Sequence, residues 1–267
     1  MNLRLTLESG QVFIWYRLED NWCIINGSDV ILISDDLNGK SYNNNDIKYI
    51  FRLDDDIDKI NYSINKDEII NEAISRFQGL RIIRQDPFQC LISFICSSNT
   101  NIKRIRKMLL SLLKFGKKIK WNGYEFNLFP EAKVLADISI NELASYGLGY
   151  RAKYVKEASY VISNNIIELE RLKDLRYEEA KNELMNIKGV GNKVADCVLL
   201  FSLEHLEAFP IDTWILKVLR KYYGLPINNL TDKSYKSASK KMRDYFGIYA
   251  GYAQQYLYCY ARELMFY

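Results

Sequence analysis

The sequence predicts an α+β fold in which an N-terminal antiparallel β-sheet domain precedes a mostly α-helical region. Up to about residue 58, short runs rich in β-branched and aromatic residues alternate with turn dipeptides. From residue 67 onward, apolar residues recur every three or four positions, which is the spacing of one face of an α-helix. We therefore assign residues 1–83 to a β domain with a closing helix and residues 84–267 to the helical region.

Four N-terminal runs are predicted to be strands. Asn26-Gly27 and Asn38-Gly39 are predicted turns, because Asn and Gly accept the positive φ of a tight hairpin. The runs are LRLTL, QVFIWYRL, NWCIIN and DVILIS.

Helices are predicted over most of the remaining chain. The closing helix of the β domain has an apolar face from Ile69 to Phe77, and Asp86-Pro87 supplies a cap and a first-turn proline for the next helix. Further helical runs are predicted at 141–146, 151–162, 177–187, 193–202, 213–223, 233–246 and 249–265.

A glycine hairpin joins two of these helices in LMNIKGVGNKVADC, from Leu184 to Cys197. We place this helix-hairpin-helix at about 178–202. Gly189 and Gly191 let the backbone come close to a ligand, and the free N–H groups that open the second helix point outward at an anion. The hairpin therefore predicts a site for a nucleic-acid phosphate.

Lys193 and Asp212 are the candidate catalytic residues. Lys193 lies in the first turn of the second hairpin helix, where the positive end of the helix dipole disfavours an ammonium and favours a nucleophilic amine. From the hairpin alone, a lysine that only adds positive potential beside a phosphate is an equal alternative. Asp212 directly precedes a helical run, where an aspartate is a good N-cap, and capping does not exclude a catalytic role for the carboxylate.

Composition and charge are those of a chain with a sizeable core and no membrane segment. The 267 residues are 48% hydrophobic and show neither a signal peptide nor a long apolar run, so we expect an intracellular protein, in cytoplasm, nucleoid or nucleus, with no membrane partner. Five cysteines without a CxxC pair predict free thiols. Residues 1–80 hold 8 Lys and Arg against 14 Asp and Glu, which leaves 29 against 19 in the remainder. That basic remainder fits a phosphate-binding surface or an ordinary solvated one.

Five segments in a fixed order carry a resemblance. GVGNKVADC followed by FPIDTW is similar to the helix-hairpin-helix superfamily of base-excision DNA glycosylases. ESGQVFIW, RQDPFQCLISFICSSNTNIKRI, GLGYRAKYV and GYAQQYLY narrow it, because together they resemble the 8-oxoguanine DNA glycosylase family over nearly the whole chain. The resemblance implies that the helical region is a helix-hairpin-helix glycosylase domain. It also implies a monomer that acts on double-stranded DNA containing oxidised guanine and needs no cofactor or metal.

The implied activity is that of a bifunctional DNA glycosylase and AP lyase in base-excision repair. Loss of a purine develops positive charge on the sugar, which a nearby carboxylate stabilises, and an amine that attacks C1′ forms a covalent intermediate. The resemblance gives the first role to Asp212. It gives the second to Lys193, as a Schiff-base nucleophile that permits β-elimination of the strand.

The resemblance also implies a pocket for a flipped 8-oxoguanine base. The Gly10 carbonyl would accept the N7–H that distinguishes this base from guanine, and Cys197, Gln254 and Tyr258 would contact the rest of it. Burial as a small filler for Cys197 and core packing for Tyr258 are the alternatives. The family normally has phenylalanine where Tyr258 stands.

Residues outside that pocket are implied to contact the rest of the DNA. Asn99, Arg104 and Arg151 would read the unpaired cytosine, and Tyr150 would wedge beside the flipped base. Without the resemblance, a phosphate contact or a surface charge is the favoured interpretation of both arginines. Gly189, Gly191 and Trp214 would contact phosphate.

Histidine usage departs from the family. Many relatives have histidine where this chain has Trp214, whose indole N–H donates but does not titrate. The sole histidine, His205, is expected on the surface.

Two other functions fit parts of the sequence. A glycosylase for other damaged bases often keeps the aspartate but lacks the lysine, so Lys193 argues against it. A non-catalytic helix-hairpin-helix module needs the glycines and basic surface but has no use for Lys193 together with Asp212. Strand cleavage separates the enzyme from the module, because a module binds DNA without cutting it.

Overall fold

A four-stranded antiparallel sheet forms the first layer of the structure, a computed structural model that describes residues 1–226 and 229–264. The strands lie in sequence order, and Trp15 pairs with Ile24 and Cys23 with Leu32. They are β1 (Trp15–Leu18), β2 (Asn21–Asn26), β3 (Asp29–Ser34) and β4 (Gly39–Ser41). The predicted strands at 21–26 and 29–34 are confirmed, and the turn at Gly27 has φ +62°.

The predicted strand LRLTL is wrong, because Leu3–Glu8 forms a helix, α1. The Asn2 side chain accepts the Leu5 N–H at 3.0 Å and so caps the helix. Leu3 and Leu7, four residues apart, are buried on one helical face, so the same alternation also satisfies a helix. The strand predicted from residue 11 begins only at Trp15.

The first 83 residues hold more helix than the single closing helix that was predicted. Short helices α2 (Ile47–Ile50) and α3 (Ile57–Ile64) precede the predicted one, α4 (Glu68–Arg76). Each begins at an aspartate whose carboxylate accepts backbone N–H groups.

The other predicted helical runs match observed helices closely, apart from the run at 141–146, whereas the helices at Ile102–Leu112 and Ala132–Asp137 were not among the predicted runs. The run at 141–146 stays α-helical only to Leu143 and then widens into a π-type turn, Ala144–Leu148, in which Gly147 has φ +89°. The helices are α5 (Pro87–Cys96), α6 (Ile102–Leu112), α7 (Ala132–Asp137), α8 (Ile140–Leu143), α9 (Ala152–Ser163), α10 (Tyr177–Met185), α11 (Asn192–Ser202), α12 (Thr213–Tyr222), α13 (Asp232–Phe246) and α14 (Ala250–Leu264). Short 3-10 turns lie at Leu113–Phe115, Gly149–Arg151, Glu170–Asp174 and Gly247–Tyr249. Met265, the predicted end of the last helix, lies outside the described residues.

A second, two-stranded sheet was not predicted. It consists of β5 (Lys118–Trp121) and β6 (Tyr124–Asn127). Asn122 and Gly123 connect them with φ of +52° and +83°, as a two-residue hairpin requires. The Asn-Gly signal was therefore present in the sequence.

The main hydrophobic core continues across the division at residues 83 and 84. Phe13, just before the sheet, and Leu32, within it, belong to the same buried cluster as Leu91 and Leu199 from the helices. A smaller cluster, which includes Leu7, lies wholly within the N-terminal part. Residues from both parts also line the cleft that is described below. Within the described ranges, no helix has the length and apolar character needed to cross a bilayer.

Candidate active site

A cleft of about 940 Å³ brings the predicted catalytic and base-binding residues together. It lies where the turn after α1, the loop between α5 and α6, the hairpin helix α11, the start of α12 and the helix α14 converge. Its walls include Gly10, Lys193, Cys197, Asp212, Gln254 and Tyr258.

Lys193 projects into the cleft from the first turn of α11. Its Nζ donates to Ser97 Oγ at 2.9 Å and lies 4.9 Å from the centre of the Phe94 ring. The Ser97 hydroxyl in turn donates to the Phe94 carbonyl at 2.7 Å, so its lone pairs face the amine. This contact holds the amine at the end of α5.

Asp212 is the N-cap of α12 and also a wall of the cleft. Its carboxylate accepts the N–H groups of Trp214 and Ile215, each at 2.9 Å. Burial raises the pKa of Asp212, against the opposing effects of these N–H groups and the Lys193 charge. The cap predicted for Asp212 is therefore present and leaves the carboxylate in the cleft.

Gly10 and Tyr258 form one end of the cleft. Gly10 has φ +82°, and a Cβ there would lie 3.0 Å from the Tyr258 hydroxyl, so the glycine allows the ring to pack against the backbone. Burial and the nearby Asp212 charge raise the pKa of Tyr258, which keeps its hydroxyl protonated.

Gln254 and Cys197 are two of the buried residues that line the cleft. Gln254 Oε1 is buried without a hydrogen-bond partner. A buried acceptor of this kind lowers stability unless a ligand donates a hydrogen bond to it. Burial raises the pKa of Cys197 to about 12, so its sulfur is a neutral thiol.

Residues expected to contact the opposite strand meet beside the cleft. Asn99, which lines the cleft, is exposed in the turn between α5 and α6 with φ +49°. The Tyr150 ring is 52% exposed, as a wedge requires. Arg151 is only 3% exposed and donates to the carbonyls of Ser98 and Asn99, so its interpretation as a plain surface charge is wrong. Its guanidinium fixes the turn that presents Asn99.

Arg104 is exposed in the first turn of α6, one residue beyond the cleft wall at Lys103. The Asn101 side chain caps this helix by accepting the Arg104 N–H at 3.0 Å. Arg104 lies close to Asn99 in sequence. In the structure, however, Arg104 is not part of the lining of the cleft.

The two glycines of the hairpin between α10 and α11 differ in whether the structure requires glycine at their positions. Gly189 has φ +94°, and a Cβ there would lie 2.5 Å from the Tyr154 ring, so both backbone and packing require glycine. Gly191 has ordinary extended dihedrals and open space around it. Gly191 and Trp214 both line the cleft, so the phosphate-binding residues predicted from sequence lie near the reactive groups.

Comparisons with known proteins show the family of this chain. The family model described as 8-oxoguanine DNA glycosylase, N-terminal domain, matches residues 1–91, and the model for the HhH-GPD superfamily base excision DNA repair protein matches residues 92–244. A probable N-glycosylase/DNA lyase from Methanothermobacter thermautotrophicus is 33% identical over 81% of this chain and 74% of its own length. The chain belongs to the 8-oxoguanine DNA glycosylase family.

Solved structures and other members of the family extend the match. An 8-oxoguanine glycosylase/lyase from Clostridium acetobutylicum, bound to double-stranded DNA with cytosine opposite 8-oxoG, superimposes with a TM-score of 0.87. It is 33% identical, and the match covers 98% of this chain and 92% of that one. The N-glycosylase/DNA lyase OGG1 of Arabidopsis thaliana is 36% identical over 72% of this chain, which spans about half (55%) of that relative. Family membership makes the protein a base-excision repair enzyme of the N-glycosylase/DNA lyase type.

Two residues of this family member have positions that the sequence did not reveal. Ser97 was not predicted to be a site residue, yet its hydroxyl accepts a hydrogen bond from the Lys193 amine. His205 was expected on the surface but is only 6% exposed, and its Nε2 lies 2.9 Å from the Leu172 carbonyl. The polar residues around His205 in sequence concealed this long-range contact.

Within residues 1–226 and 229–264, no group of three His, Cys, Asp or Glu side chains is arranged to hold a metal ion. All five cysteines are buried and free of disulfides.

Proposed function

We propose that this enzyme excises 8-oxoguanine, preferentially opposite cytosine, and nicks the strand through a Schiff base on Lys193. The observation that carries the proposal is the placement of the Lys193 amine and the Asp212 carboxylate in one cleft with the unpartnered Gln254 oxygen. An amine and a carboxylate serve the chemistry, and a buried acceptor serves recognition of a base.

Asp212 and Lys193 divide the reaction between them. As the C1′–N9 bond breaks, the ionised Asp212 stabilises positive charge on the sugar, and the amine of Lys193 adds to C1′. The amine proton passes to the departing base. Ring opening gives the Schiff base, and removal of a C2′ proton then expels the 3′ phosphate by β-elimination.

The base-binding end of the cleft fits a flipped purine. Gln254 Oε1 would accept an N–H from the edge of the base, which satisfies its buried lone pairs. The Gly10 carbonyl would accept the N7–H that guanine lacks. Cys197 as a neutral thiol and Tyr258 as a protonated phenol would pack on the base without adding charge.

The opposite strand would be read beside the cleft. Arg151 would hold the turn that presents Asn99, Tyr150 would fill the gap left by the flipped base, and Arg104 would reach the unpaired cytosine. Gly189, Gly191 and Trp214 would hold phosphate near the reacting sugar. We further propose that the protein acts as a monomer inside the cell.

Borohydride trapping tests the proposal. The protein is incubated with duplexes that carry 8-oxoguanine opposite each of the four bases, with undamaged guanine as a control. We expect a covalent adduct that is strongest opposite cytosine and is lost in Lys193→Gln, while DNA binding is largely kept because many groups contact phosphate.

Three results would overturn parts of the proposal. Base release without any covalent adduct would contradict the formation of a Schiff base on Lys193. Equal trapping opposite all four bases would remove the cytosine preference, and tight binding without release or adduct would leave only a DNA-binding module.

A further inference from the structure

A buried cluster of four polar side chains adjoins the cleft, since one of its members, Tyr235, also lines it. Asp196, on α11, is completely buried and accepts three hydrogen bonds. Lys181 Nζ donates at 2.9 Å, the Tyr177 hydroxyl at 2.6 Å and the Tyr235 hydroxyl at 2.7 Å. Because burying this carboxylate is costly without such donors, the cluster fixes α11 against α10 and α13.

Tyr235 differs from Tyr177 in having a second partner near the reactive groups. Its oxygen accepts the backbone N–H of Ile211 at 3.1 Å. Ile211 directly precedes Asp212, whereas Asp196 lies one helical turn after Lys193. Two hydrogen bonds through one hydroxyl therefore connect the helix of Lys193 to the backbone that carries Asp212.

The helix that carries Tyr235 is also held at its start. Asn192 Nδ2, beside Lys193, donates to Asp232 Oδ1 at 3.0 Å. Helix α13 thus contacts α11 at Asn192 and at Asp196, on either side of Lys193 in sequence. This leaves little freedom for α13 to move relative to the amine.

We propose that Tyr235 is a positioning residue, whose hydroxyl holds the Ile211–Asp212 backbone in register with the helix that carries Lys193. The proposal rests on the proposed function of Lys193 and Asp212. Tyr235 lines the cleft, but its hydroxyl already donates to Asp196 and accepts the Ile211 N–H, so we place its effect on Asp212 and not on the substrate. A displaced carboxylate would stabilise the sugar charge less, because this stabilisation depends on a preorganised distance.

The experiment compares Tyr235→Phe with Tyr177→Phe. Each variant removes one hydroxyl from Asp196 and keeps the ring, but only Tyr235→Phe leaves the Ile211 N–H without its acceptor. Single-turnover excision is measured on an 8-oxoguanine·cytosine duplex over a range of pH. Rates are normalised to the fraction of protein that binds a duplex with a tetrahydrofuran abasic analogue, which requires no chemistry.

Tyr235→Phe should lower the excision rate about ten- to hundredfold and displace the acidic limb of its pH profile, with affinity for the analogue unchanged. Tyr177→Phe should stay within about twofold of wild type. Incorporation of 3-fluorotyrosine at position 235, which weakens the hydroxyl oxygen as an acceptor while keeping the fold, should lower the rate in the same direction.

Equal rates for the two phenylalanine variants, or an unchanged pH profile in Tyr235→Phe, would overturn the role of Tyr235. Failure of the wild-type protein to excise or to be trapped would instead overturn the proposed function. The wild-type lane of the same assay therefore separates the two failures.

Discussion

Lys193 and Asp212 both lie at helix N-termini, but their surroundings give them different roles. Lys193 is held by a neutral hydroxyl, that of Ser97, whereas Asp212 accepts two backbone N–H groups in a buried setting. The hydroxyl positions the amine in the cleft without adding a negative charge beside it, and the capping N–H groups favour the charged form of the carboxylate. The same backbone feature thus serves a nucleophile at one helix and a charge stabiliser at the other.

The pH dependence of excision follows from Asp212. Its raised pKa means that the carboxylate loses its charge at a higher pH than an exposed aspartate, whose pKa is about 3.9. Because the ionised form stabilises the transition state, the single-turnover excision rate should fall as pH decreases through that raised pKa. A rate that stays constant down to the ordinary range of aspartate would contradict this assignment.

Asp212→Asn is the matched control. Asparagine caps a helix about as well as aspartate, so α12 should persist while excision falls. A pKa raised in the folded state makes the ionised form unfavourable for stability above that pKa. The variant should therefore melt higher than wild type at neutral pH, and the difference should shrink as pH falls and Asp212 becomes protonated.

Two adjacent glutamines on α14 should respond oppositely to the same substitution. Gln254 Oε1 is buried without a partner, whereas Gln255 donates to the Ser9 carbonyl at 3.0 Å. Gln254→Met should keep or raise the melting temperature, since it removes an unsatisfied acceptor, yet should reduce excision of 8-oxoguanine. Gln255→Met should lower stability by about 1 kcal/mol. Thermal melts paired with excision assays measure both, and a marked loss of stability in Gln254→Met would show that its oxygen is satisfied in the free protein.

At the scale of elements, the hairpin glycines make separate contributions. Gly189→Ala forces a Cβ at φ +94° against the Tyr154 ring and should cost about 1–3 kcal/mol. Gly191→Ala meets nothing within 4 Å and should melt like wild type. If phosphate approaches the hairpin at Gly191, this variant should still bind the abasic-analogue duplex more weakly. Normal stability in Gly189→Ala, measured by urea unfolding, would contradict the requirement for glycine there.

Local signals predicted the elements whose ends are capped within the sequence. Asp86-Pro87 before α5 and Asp212 before α12 are read directly, because cap and helix lie within a few residues. The strand prediction for residues 3–7 was wrong because the same alternation of apolar residues also places Leu3 and Leu7 on one helical face. Its conformation is decided by the Asn2 cap and by the Asn2 N–H bond to the distant Gly79 carbonyl at 2.8 Å.

The candidate site shows the same division. Lys193, Asp212 and Gln254 were predicted because their segments resemble a family, and the structure brings them to one cleft. Ser97 and Tyr235 were not predicted to contact the site, because their partners lie 96 and 24 residues away in sequence. No periodicity or spacing reports a contact of that range.

At the scale of the whole molecule, α11 connects the chemistry to the N-terminal part. Its first turn carries Lys193, and two residues after its end stands Glu204. Glu204 pairs with Arg52 at 2.9 Å and with Arg84 at 3.0 Å. Arg52 belongs to the N-terminal part and is only 1% exposed. Its buried positive charge is balanced by the Glu204 carboxylate and by Asp55 at 3.8 Å.

Glu204→Gln should therefore destabilise both parts of the molecule together. The substitution leaves the buried Arg52 guanidinium paired with Asp55, which is farther away than Glu204. This loss should cost about 2–3 kcal/mol of stability, allowing for the partial exposure of Glu204. Glu125→Gln breaks a pair in which both side chains are exposed and should change the melting temperature little. Because the main core includes residues from the sheet and from the helices, Glu204→Gln should still unfold in one transition, with circular dichroism and tryptophan fluorescence coinciding. Two separated transitions would mean that residues 1–83 and the helical region are independent folding units, and that the carboxylate at the end of α11 joins them without making them cooperative.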